Sequence, residues 1–238
     1  MAGMICRAPD PLEGHPAPPS AGAPASGAPL LATRLRPLTA ADLGPLARAQ
    51  RRHFPGNVIG RFGDPLHTTY LRSFLGTPTA TAVVAESVDG PVGYALGVLG
   101  TVEHRARVRR RYGVALLVAA VLAVVRHPRL GTGMLRRRWA LRSAARASSG
   151  PAAPVDTRRL AVLSHVAVEA PARGTGTAAR LVDDFLDRAR RARCDAAVLA
   201  VRRDNTRALA FYEKHGWRRV AERSTFDGRD LCLYEREL

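Results

Sequence analysis

The groups best suited to chemistry in this chain lie between Leu160 and Trp217. A strand-like apolar run, Leu160–Val168, leads into a glycine-rich turn, Arg173–Ala178, and an amphipathic helix-like segment follows the turn. Glycine lets the backbone approach a ligand closely, and the first N–H groups of a helix point at an anion. The order of strand, turn and helix therefore predicts a phosphate-binding site.

The next segments add an amide and a phenol. A second strand-like run, Ala196–Val201, precedes Asn205, and a second helix-like segment ends in the sequence Phe211–Trp217. The order and spacing of all these pieces resemble the GCN5-related N-acetyltransferases, the GNAT superfamily. Its members transfer an acyl group from acyl-CoA to an amine.

Individual positions match the cofactor motif of that family. The family signature is Arg or Gln, two residues, Gly, one residue, then Gly or Ala. Arg173, Gly176 and Ala178 satisfy it, and Gly174 matches the frequent Arg-Gly opening. The resemblance is specific because strand, turn and helix occur together in the family's order.

The last helix of the family is matched as well. It begins near an Asn and carries a Tyr close to its end, before a Gly-aromatic pair. Asn205, Tyr212, Gly216 and Trp217 fit, with Trp where Phe is commoner. The resemblance covers roughly the C-terminal third of the chain, and the preceding two-thirds match in the pattern of elements.

The resemblance implies acetyl-CoA, or another acyl-CoA, as co-substrate, and no metal. In the family the cofactor strand parts from its neighbour and offers backbone contacts to the pantetheine arm and the thioester carbonyl. Val166, Ala167 and Val168 are the corresponding residues here. The pyrophosphate would be held by the turn, namely Arg173, Gly174, Thr175, Gly176, Thr177 and Ala178. Asn205 would bond the pantetheine arm or cap the last helix.

Tyr212 is the predicted general acid and is also counted among the cofactor-binding residues. The thiolate that leaves an attacked thioester must be protonated or otherwise stabilised. A phenol has an ordinary pKa near ~10, so it keeps its proton at neutral pH and can donate it. The alternative role is packing against Phe211, and the motif position favours the catalytic one.

Several groups compete for the role of general base. Some relatives carry a Glu in the strand before the last helix, but the stretch Leu199–Arg202 contains no carboxylate here. His165 is a candidate, because it lies beside the parting of the cofactor strand and imidazole titrates near neutral pH. Side-chain alternation can equally place His165 in the core on the other face. Glu86 could act through ordered water instead, or the amine could lose its proton directly to water.

The acceptor site is predicted at the first two helices, their loop and an insertion. Phe54 could wall the pocket, Arg52 or His53 could meet an acidic group, and Glu86 is the remaining predicted substrate-binding residue. The alternative is a solvated helix end followed by a turn at Pro55–Gly56. Protein N-termini, aminoglycosides, amino sugars and secondary metabolites all stay open as acceptors. A polyamine is disfavoured because the basic chain would repel it.

The remaining segments predict an α/β (α+β) domain. Residues 1–30 are rich in Pro, Ala and Gly and form a predicted disordered tail, and residues 31–238 form the domain. An edge strand at Ala32–Leu38, two helices and a hairpin with its turn at Asp89–Gly90 come first. The last two strands are joined at Asp227–Gly228. This order is that of the GNAT fold, with a central, mixed, mostly antiparallel, splayed sheet flanked by helices.

A helical basic insertion, about residues 103–156, is predicted between the third and fourth strands. It contains Arg105–Arg111, the apolar run Val114–Val125, and a second basic helix-like segment, Leu130–Arg142. The apolar run is shorter than the ~20 residues that span a bilayer. Packing over the substrate end of the sheet is the preferred interpretation. A dimer contact, an anionic membrane surface, or a tunnel for a long acyl chain are the alternatives.

Composition narrows the class of protein. Hydrophobic residues make up 46% of the 238, enough for a packed core. The net charge of +17 attracts anions in general. Aromatic residues are only 5% and no nucleic-acid-binding motif is visible, so no nucleic-acid partner is expected.

The cysteines and the N-terminus bear on the compartment. Cys6, Cys194 and Cys232 lack metal-type spacing, and their odd number argues against a disulfide framework. They are interpreted as buried or idle thiols. Nothing resembles a signal peptide, so a cytoplasmic protein is expected.

The sequence thus predicts an acyl-CoA-dependent N-acyltransferase. In its simplest form it moves acetyl from acetyl-CoA to a primary amine of a small molecule, by direct attack in a ternary complex. Direct transfer is favoured because no cysteine lies at the thioester end of the motif. One alternative is a catalytically weak CoA-binding regulatory or structural protein. Another is a long-chain acyltransferase held at a membrane surface by the basic insertion. A homodimer stays open.

Overall fold

A computed structural model describes the chain in four ranges, residues 33–53, 64–126, 158–225 and 229–238. Six sequence predictions lie outside these ranges: the tail at residues 1–30, Cys6, Phe54, the turn at Pro55–Gly56, the turn at Asp227–Gly228, and the later part of the insertion. The described residues form a seven-stranded sheet with helices on both faces.

The sheet has the strand order β1-β2-β3-β4-β5-β7-β6. Its strands are β1 (Arg34–Pro37), β2 (Ala80–Ser87), β3 (Gly90–Leu99), β4 (Leu160–Val168), β5 (Ala196–Arg202), β6 (Arg218–Ser224) and β7 (Asp230–Glu237). Neighbours run antiparallel, except that β4 and β5 are parallel. The predicted mixed, mostly antiparallel sheet is therefore confirmed.

The described residues also form five α-helices. They are α1 (Leu43–His53), α2 (Asp64–Arg72), α3 (Thr101–Arg126), α4 (Thr177–Arg191) and α5 (Thr206–Lys214). The buried apolar residues of α4 lie on one face of the helix, namely Leu181, Val182, Phe185, Leu186 and Ala189. That pattern is why this segment forms a helix with one face against the sheet.

The sheet divides the hydrophobic core in two. On one face, α1 and α2 bury side chains such as Leu46 and Leu71 against β2, β3 and β4. On the other face, α4 and α5 bury side chains such as Phe185 and Tyr212 against β4, β5 and β7. Strand β4 contributes to both halves, so it lies at the centre of the molecule.

A β-bulge at Ser164 sets the direction of the side chains in β4. Leu96 of β3 pairs with His165, but the next residue of β3, Gly97, pairs with Leu163. The extra residue, Ser164, breaks the alternation of the strand. As a result Leu163 faces α4, whereas His165 faces α2.

Gly97 allows α4 to approach the sheet closely. A Cβ atom at this position would lie 2.4 Å from Cε2 of Phe185, whose side chain is fully buried. An aromatic ring packed on all sides cannot move away without disturbing its neighbours. Gly97 is therefore required for the packing of α4.

We expect Gly97→Ala to lower the free energy of unfolding by about 1–3 kcal/mol, as overpacking of a core does. Urea denaturation followed by circular dichroism measures this change. Gly44→Ala is the matched control, because a Cβ there would meet only the flexible side chain of Arg48 at 3.7 Å. Equal stability of the two variants would contradict the packing argument.

Helix α3 covers the first part of the predicted insertion. The predicted boundaries of the domain stay a prediction. His104 in its first turn is buried, lies 5.6 Å from the ring of Phe74, and is 3.2 Å from the Thr79 hydroxyl through Nδ1. These contacts hold the start of α3 against the end of α2. None of the helices in the described ranges is long and apolar enough to cross a membrane.

Candidate functional site

Strands β4 and β5 part soon after they begin. Only Leu160–Val162 pair with Ala196–Val198. Beyond this point β4 continues for six residues, Leu163–Val168, while β5 remains paired with β7 on its other side. The edge of β4 that faces β5 is open there, so its backbone N–H and C=O groups can bond an extended ligand.

The glycine-rich turn lies between the end of β4 and the start of α4. Gly174 has φ 82° and Gly176, the residue that precedes α4, has φ 81°. Both values lie in the left-handed region that favours glycine. Within the described part of the chain, no atom beyond the two adjacent residues lies within 4 Å of a Cβ built at either position. The turn is therefore uncrowded, and the first N–H groups of α4 point out of it.

Hydrogen bonds give the turn a defined shape. The Thr175 hydroxyl donates to the carbonyl oxygen of Ala172 at 2.8 Å, and it lies 2.8 Å from the hydroxyl of Thr177. Nε of Arg173 donates to the carbonyl oxygen of Val168 at 3.1 Å. The Arg173 guanidinium is thus held beside the open end of β4, where it can meet an anion.

Asn205 caps helix α5. Its Oδ1 accepts a hydrogen bond from the backbone N–H of Ala208 at 3.2 Å, and its side chain is buried. The capping role considered from the sequence is therefore present. A role in binding the pantetheine arm stays a prediction.

Tyr212 is buried in the core on the α4 and α5 face. Its ring centroid lies 5.1 Å from Phe211 and 5.7 Å from Trp217, both edge-on, and 6.4 Å from Tyr234. Burial raises the pKa of its phenol well above the ordinary value. The phenol therefore keeps its proton across the neutral range, which suits a proton donor and equally suits a packed core residue.

His165 is fully buried on the opposite face. Its ring lies 6.3 Å from the ring of Tyr70 on α2, in an edge-on arrangement. The two predicted catalytic residues, His165 and Tyr212, thus belong to different halves of the core. The parting of β4 and β5 is the place where a ligand can reach both faces of the sheet.

Glu86 forms an ion pair with Arg36 on the outer strands of the sheet. Its carboxylate accepts a hydrogen bond from Arg36 at 3.0 Å, and the same guanidinium bonds Asp42 at 2.8 Å. These bonds hold the pKa of Asp42 well below its usual range. Strand β3 lies between Glu86 on β2 and the open part of β4. The structure therefore gives Glu86 a place in an ion-pair cluster on the outer strands.

His53 and Arg52 converge on a carboxylate that the sequence analysis did not select. Oε1 of Glu169, the residue after β4, lies 2.9 Å from Nη2 of Arg52 and 3.2 Å from Nε2 of His53. Burial favours the neutral acid, but the bonds from Arg52 and His53 outweigh it and lower the pKa of Glu169. Glu169 is thus a partly buried anion at the end of α1. Its place directly after the cofactor strand was the one signal in the sequence.

A small cavity lies next to this cluster, between α1 and the face of β2, β3 and β4. Its volume is about 140 Å³, and its walls include Ala167, Tyr94, His53 and Glu169. A water molecule takes about 30 Å³ of liquid volume, so the space suits a small organic group. Because Ala167 lines the cavity, the cavity adjoins β4, the strand that has the open edge. Ala167 and His165 lie on the same face of this strand.

No metal-binding site is visible in the ranges that the structure describes. No group of three or more His, Cys, Asp or Glu side chains is placed there to hold a metal ion. Cys194 and Cys232 are both buried, and burial raises the pKa of each thiol.

The chain is similar to known proteins in sequence and in fold. A family model described as the acetyltransferase (GNAT) family matches residues 50–217. No curated protein matches the sequence significantly.

Solved structures share the fold at low sequence identity. NAA60 of Arabidopsis thaliana, in complex with acetyl-CoA, is 14% identical with a TM-score of 0.55, over 87% of this chain and 98% of that one. The structure of yncA from Salmonella typhimurium with its cofactor acetyl-CoA is 14% identical with a TM-score of 0.51, over 87% of this chain and 94% of that one. The ribosomal-protein-S18-alanine N-acetyltransferase of Escherichia coli is 13% identical with a TM-score of 0.50, over 86% and 93%.

Proposed function

The chain belongs to the acetyltransferase (GNAT) family, and from this premise we propose that it transfers the acetyl group of acetyl-CoA to a primary amine of a small molecule. The observation that carries the proposal is the open edge of β4, Leu163–Val168, beside the turn at Gly174 and Gly176. Acetyl-CoA has an extended thioester arm and a pyrophosphate, so it needs an open strand edge for the arm and an adjacent turn for the pyrophosphate.

Acetyl-CoA is proposed to lie along this edge. The pantetheine arm would bond the backbone of Val166 and Val168, as an additional strand bonds a sheet edge. The pyrophosphate would meet Arg173 and the first N–H groups of α4, because helix N-termini favour anions. The absence of crowding at both glycines of the turn supports this arrangement.

The reaction requires an amine to attack the thioester carbon and a thiolate to leave. In the proposed mechanism backbone N–H groups of β4 polarise the carbonyl oxygen, and the Tyr212 phenol gives its proton to the departing thiolate. Direct attack is preferred to a cysteine-linked intermediate. Cys194 and Cys232 are buried thiols with raised pKa values, which disfavours the reactive thiolate form.

His165 is proposed as the group that accepts the amine proton. It lies on the α1 and α2 face of β4, two residues along the strand from Ala167, which lines the cavity. We expect His165→Gln to lower kcat/KM about tenfold, below the usual effect of a general base because water can also accept the proton. Steady-state kinetics of the wild-type protein and the variant with the same amine measures this change. A variant as active as the wild-type protein would assign the proton transfer to water.

The acceptor is proposed to enter the cavity between α1 and β4. Glu169 is an anion in a strongly basic chain, so it attracts the ammonium form of an amine. A carboxylate offers about four acceptor positions, and Arg52 and His53 use part of them. The volume of about 140 Å³ supports a small molecule or a single terminal residue as the bound group.

We expect Glu169→Gln to raise KM for the amine about tenfold, because one charge-assisted contact is worth about 1.5 kcal/mol or more. KM for acetyl-CoA should stay the same, since the glycine turn is untouched. Steady-state kinetics with each substrate varied in turn measures both values. Glu237→Gln is the control, because Glu237 forms an exposed pair with Arg218. Equal changes in both KM values would point to a general structural effect.

The experiment that tests the proposed function measures CoA release from acetyl-CoA across a panel of amines. The panel contains amino sugars, aminoglycosides, small primary amines and short peptides with free N-termini. Turnover with a small amine is the expected result. Turnover with peptides alone would move the assignment to peptide N-termini, in line with the NatC complex, solved with a bound peptide and CoA. Binding of acetyl-CoA without turnover of any amine would favour a regulatory CoA-binding protein.

A further inference from the structure

Helix α3 carries a dense basic segment on its exposed side. After His104, the arginines of the segment Arg105–Arg111 are all exposed: Arg105, Arg107, Arg109, Arg110 and Arg111. In sequence, no acidic residue occurs between Glu103 and Asp156, while twelve arginines do. Most of the net charge of +17 is therefore concentrated in a fifth of the chain.

Directly after the basic segment, α3 exposes apolar side chains. Val114 is 78% exposed, Leu117 is 64% exposed and Val118 is 51% exposed. These three residues define an apolar turn of the helix, and the sequence from Val114 to Val125 contains no polar residue. A contiguous apolar patch of this kind on a surface marks an interaction site.

We infer that α3 docks on an anionic lipid surface. The headgroups would bind the basic segment, and the apolar turn would enter the boundary between headgroups and acyl chains, as interfacial helices do. The inference concerns α3, which contributes no residue to the proposed acetyl-CoA site, and it does not depend on the proposed function.

Charge decides against a second copy of this chain as the occupant. Each copy carries a net charge of +17, most of it near the apolar turn, so two copies that met there would repel each other. The exposed apolar side chains of α3 argue against a nucleic acid as the partner. A phosphate backbone would bind the arginines but would leave Leu117 and Val118 in water. An anionic bilayer alone offers both phosphates and an apolar layer.

The magnitudes make the inference testable. Each basic residue near an anionic membrane strengthens binding about fivefold at physiological salt, so three arginines contribute about 100-fold. Burial of two aliphatic side chains adds a contribution of about tenfold or more that salt does not screen.

The experiment is co-sedimentation of the full chain with vesicles. One set of vesicles is phosphatidylcholine, and the other is an equimolar mixture with phosphatidylglycerol. The first variant is the triple substitution Arg109→Gln, Arg110→Gln and Arg111→Gln. Its matched control removes three exposed charges elsewhere, through Arg191→Gln, Lys214→Gln and Arg218→Gln.

We expect binding to the anionic vesicles, a loss of about 100-fold in the first variant, and a much smaller loss in the control. A second variant, Leu117→Ser with Val118→Ser, should bind about tenfold more weakly, and the same tenfold loss should persist at about 1 M salt, where charges are screened. Far-ultraviolet circular dichroism checks that both variants are folded.

Three results would overturn the inference. The first is no binding to the anionic vesicles. The second is full binding by the Leu117→Ser, Val118→Ser variant together with tight binding to duplex DNA, which would identify a polyphosphate site. The third is a dimer that this variant dissociates in the absence of lipid, which would identify an interface between copies. Acetyl transfer to a soluble amine is measured alongside, so failure of the proposed function is seen separately.

Discussion

Replacement of Tyr212 by phenylalanine is expected to lower kcat about 1,000-fold, within the usual range for loss of a general acid. The ring would stay in place, because its contacts with Phe211, Trp217 and Tyr234 involve ring faces and edges. KM for acetyl-CoA should change little, since in the proposed mechanism the phenol acts on the leaving thiolate. Steady-state kinetics with the best amine of the panel measures both values.

Tyr234→Phe is the matched control for this prediction. Tyr234 lies in the same aromatic cluster, and its hydroxyl donates to Glu213 at 2.6 Å. Loss of that hydroxyl should leave kcat nearly unchanged, because the cost of about 1 kcal/mol for one hydrogen bond falls on the stability of the fold. A Tyr212→Phe variant as active as the Tyr234→Phe variant would reduce Tyr212 to a packing residue.

The pH dependence separates the two roles of Tyr212 further. Burial raises the pKa of its phenol, so the protonated donor persists to a higher pH than an ordinary phenol with a pKa near ~10. The kcat of the wild-type protein should therefore show no decline from Tyr212 below about pH 10. A decline between pH 8 and 9 that is absent from Tyr212→Phe would contradict the raised pKa.

The central strand and its turn were predictable from sequence, because local signals determine them. The run Leu160–Val168 is apolar throughout, and β4 has these same limits. The turn follows from glycine, which occupies both positions with φ near 80°. The helix limits follow from apolar spacing in α4 and from the capping side chain of Asn205 in α5.

The face of β4 on which His165 lies was not predictable in the same way. A strand buried on both faces is apolar at nearly every position, so it shows no alternation to read. The bulge at Ser164 then shifts the alternation by one residue. The bulge arises from the pairing of β4 with β3, which lies more than sixty residues earlier in the chain. No local sequence pattern therefore predicts the bulge.

The cluster around Glu169 was missed for a related reason. Arg52 and Glu169 are 117 residues apart in sequence and meet only because α1 ends beside the end of β4. A charged residue at a strand end is also common at protein surfaces, so its type alone carries little information. Only the fold reveals that it borders a cavity.

Reversal of the charge at Arg173 is expected to weaken acetyl-CoA binding at least about 100-fold. The charge-assisted bonds to the pyrophosphate are worth about 1.5–3 kcal/mol, and a carboxylate in their place adds repulsion. Isothermal titration calorimetry of Arg173→Glu measures the dissociation constant. Arg191→Glu is the control, because Arg191 lies at the other end of α4. Thermal unfolding without ligand shows whether loss of the bond to Val168 disturbs the turn.

A truncated donor restricts this test to the nucleotide part of the cofactor. Acetyl-pantetheine carries the thioester and the pantetheine arm but lacks the pyrophosphate and the phosphorylated adenosine. The wild-type protein should therefore prefer acetyl-CoA strongly, whereas Arg173→Glu should lose most of that preference. The two donors and two proteins form a thermodynamic cycle that isolates the contact between Arg173 and the phosphates. Equal preference in both proteins would place the pyrophosphate away from the turn, and the proposed position of acetyl-CoA would be wrong.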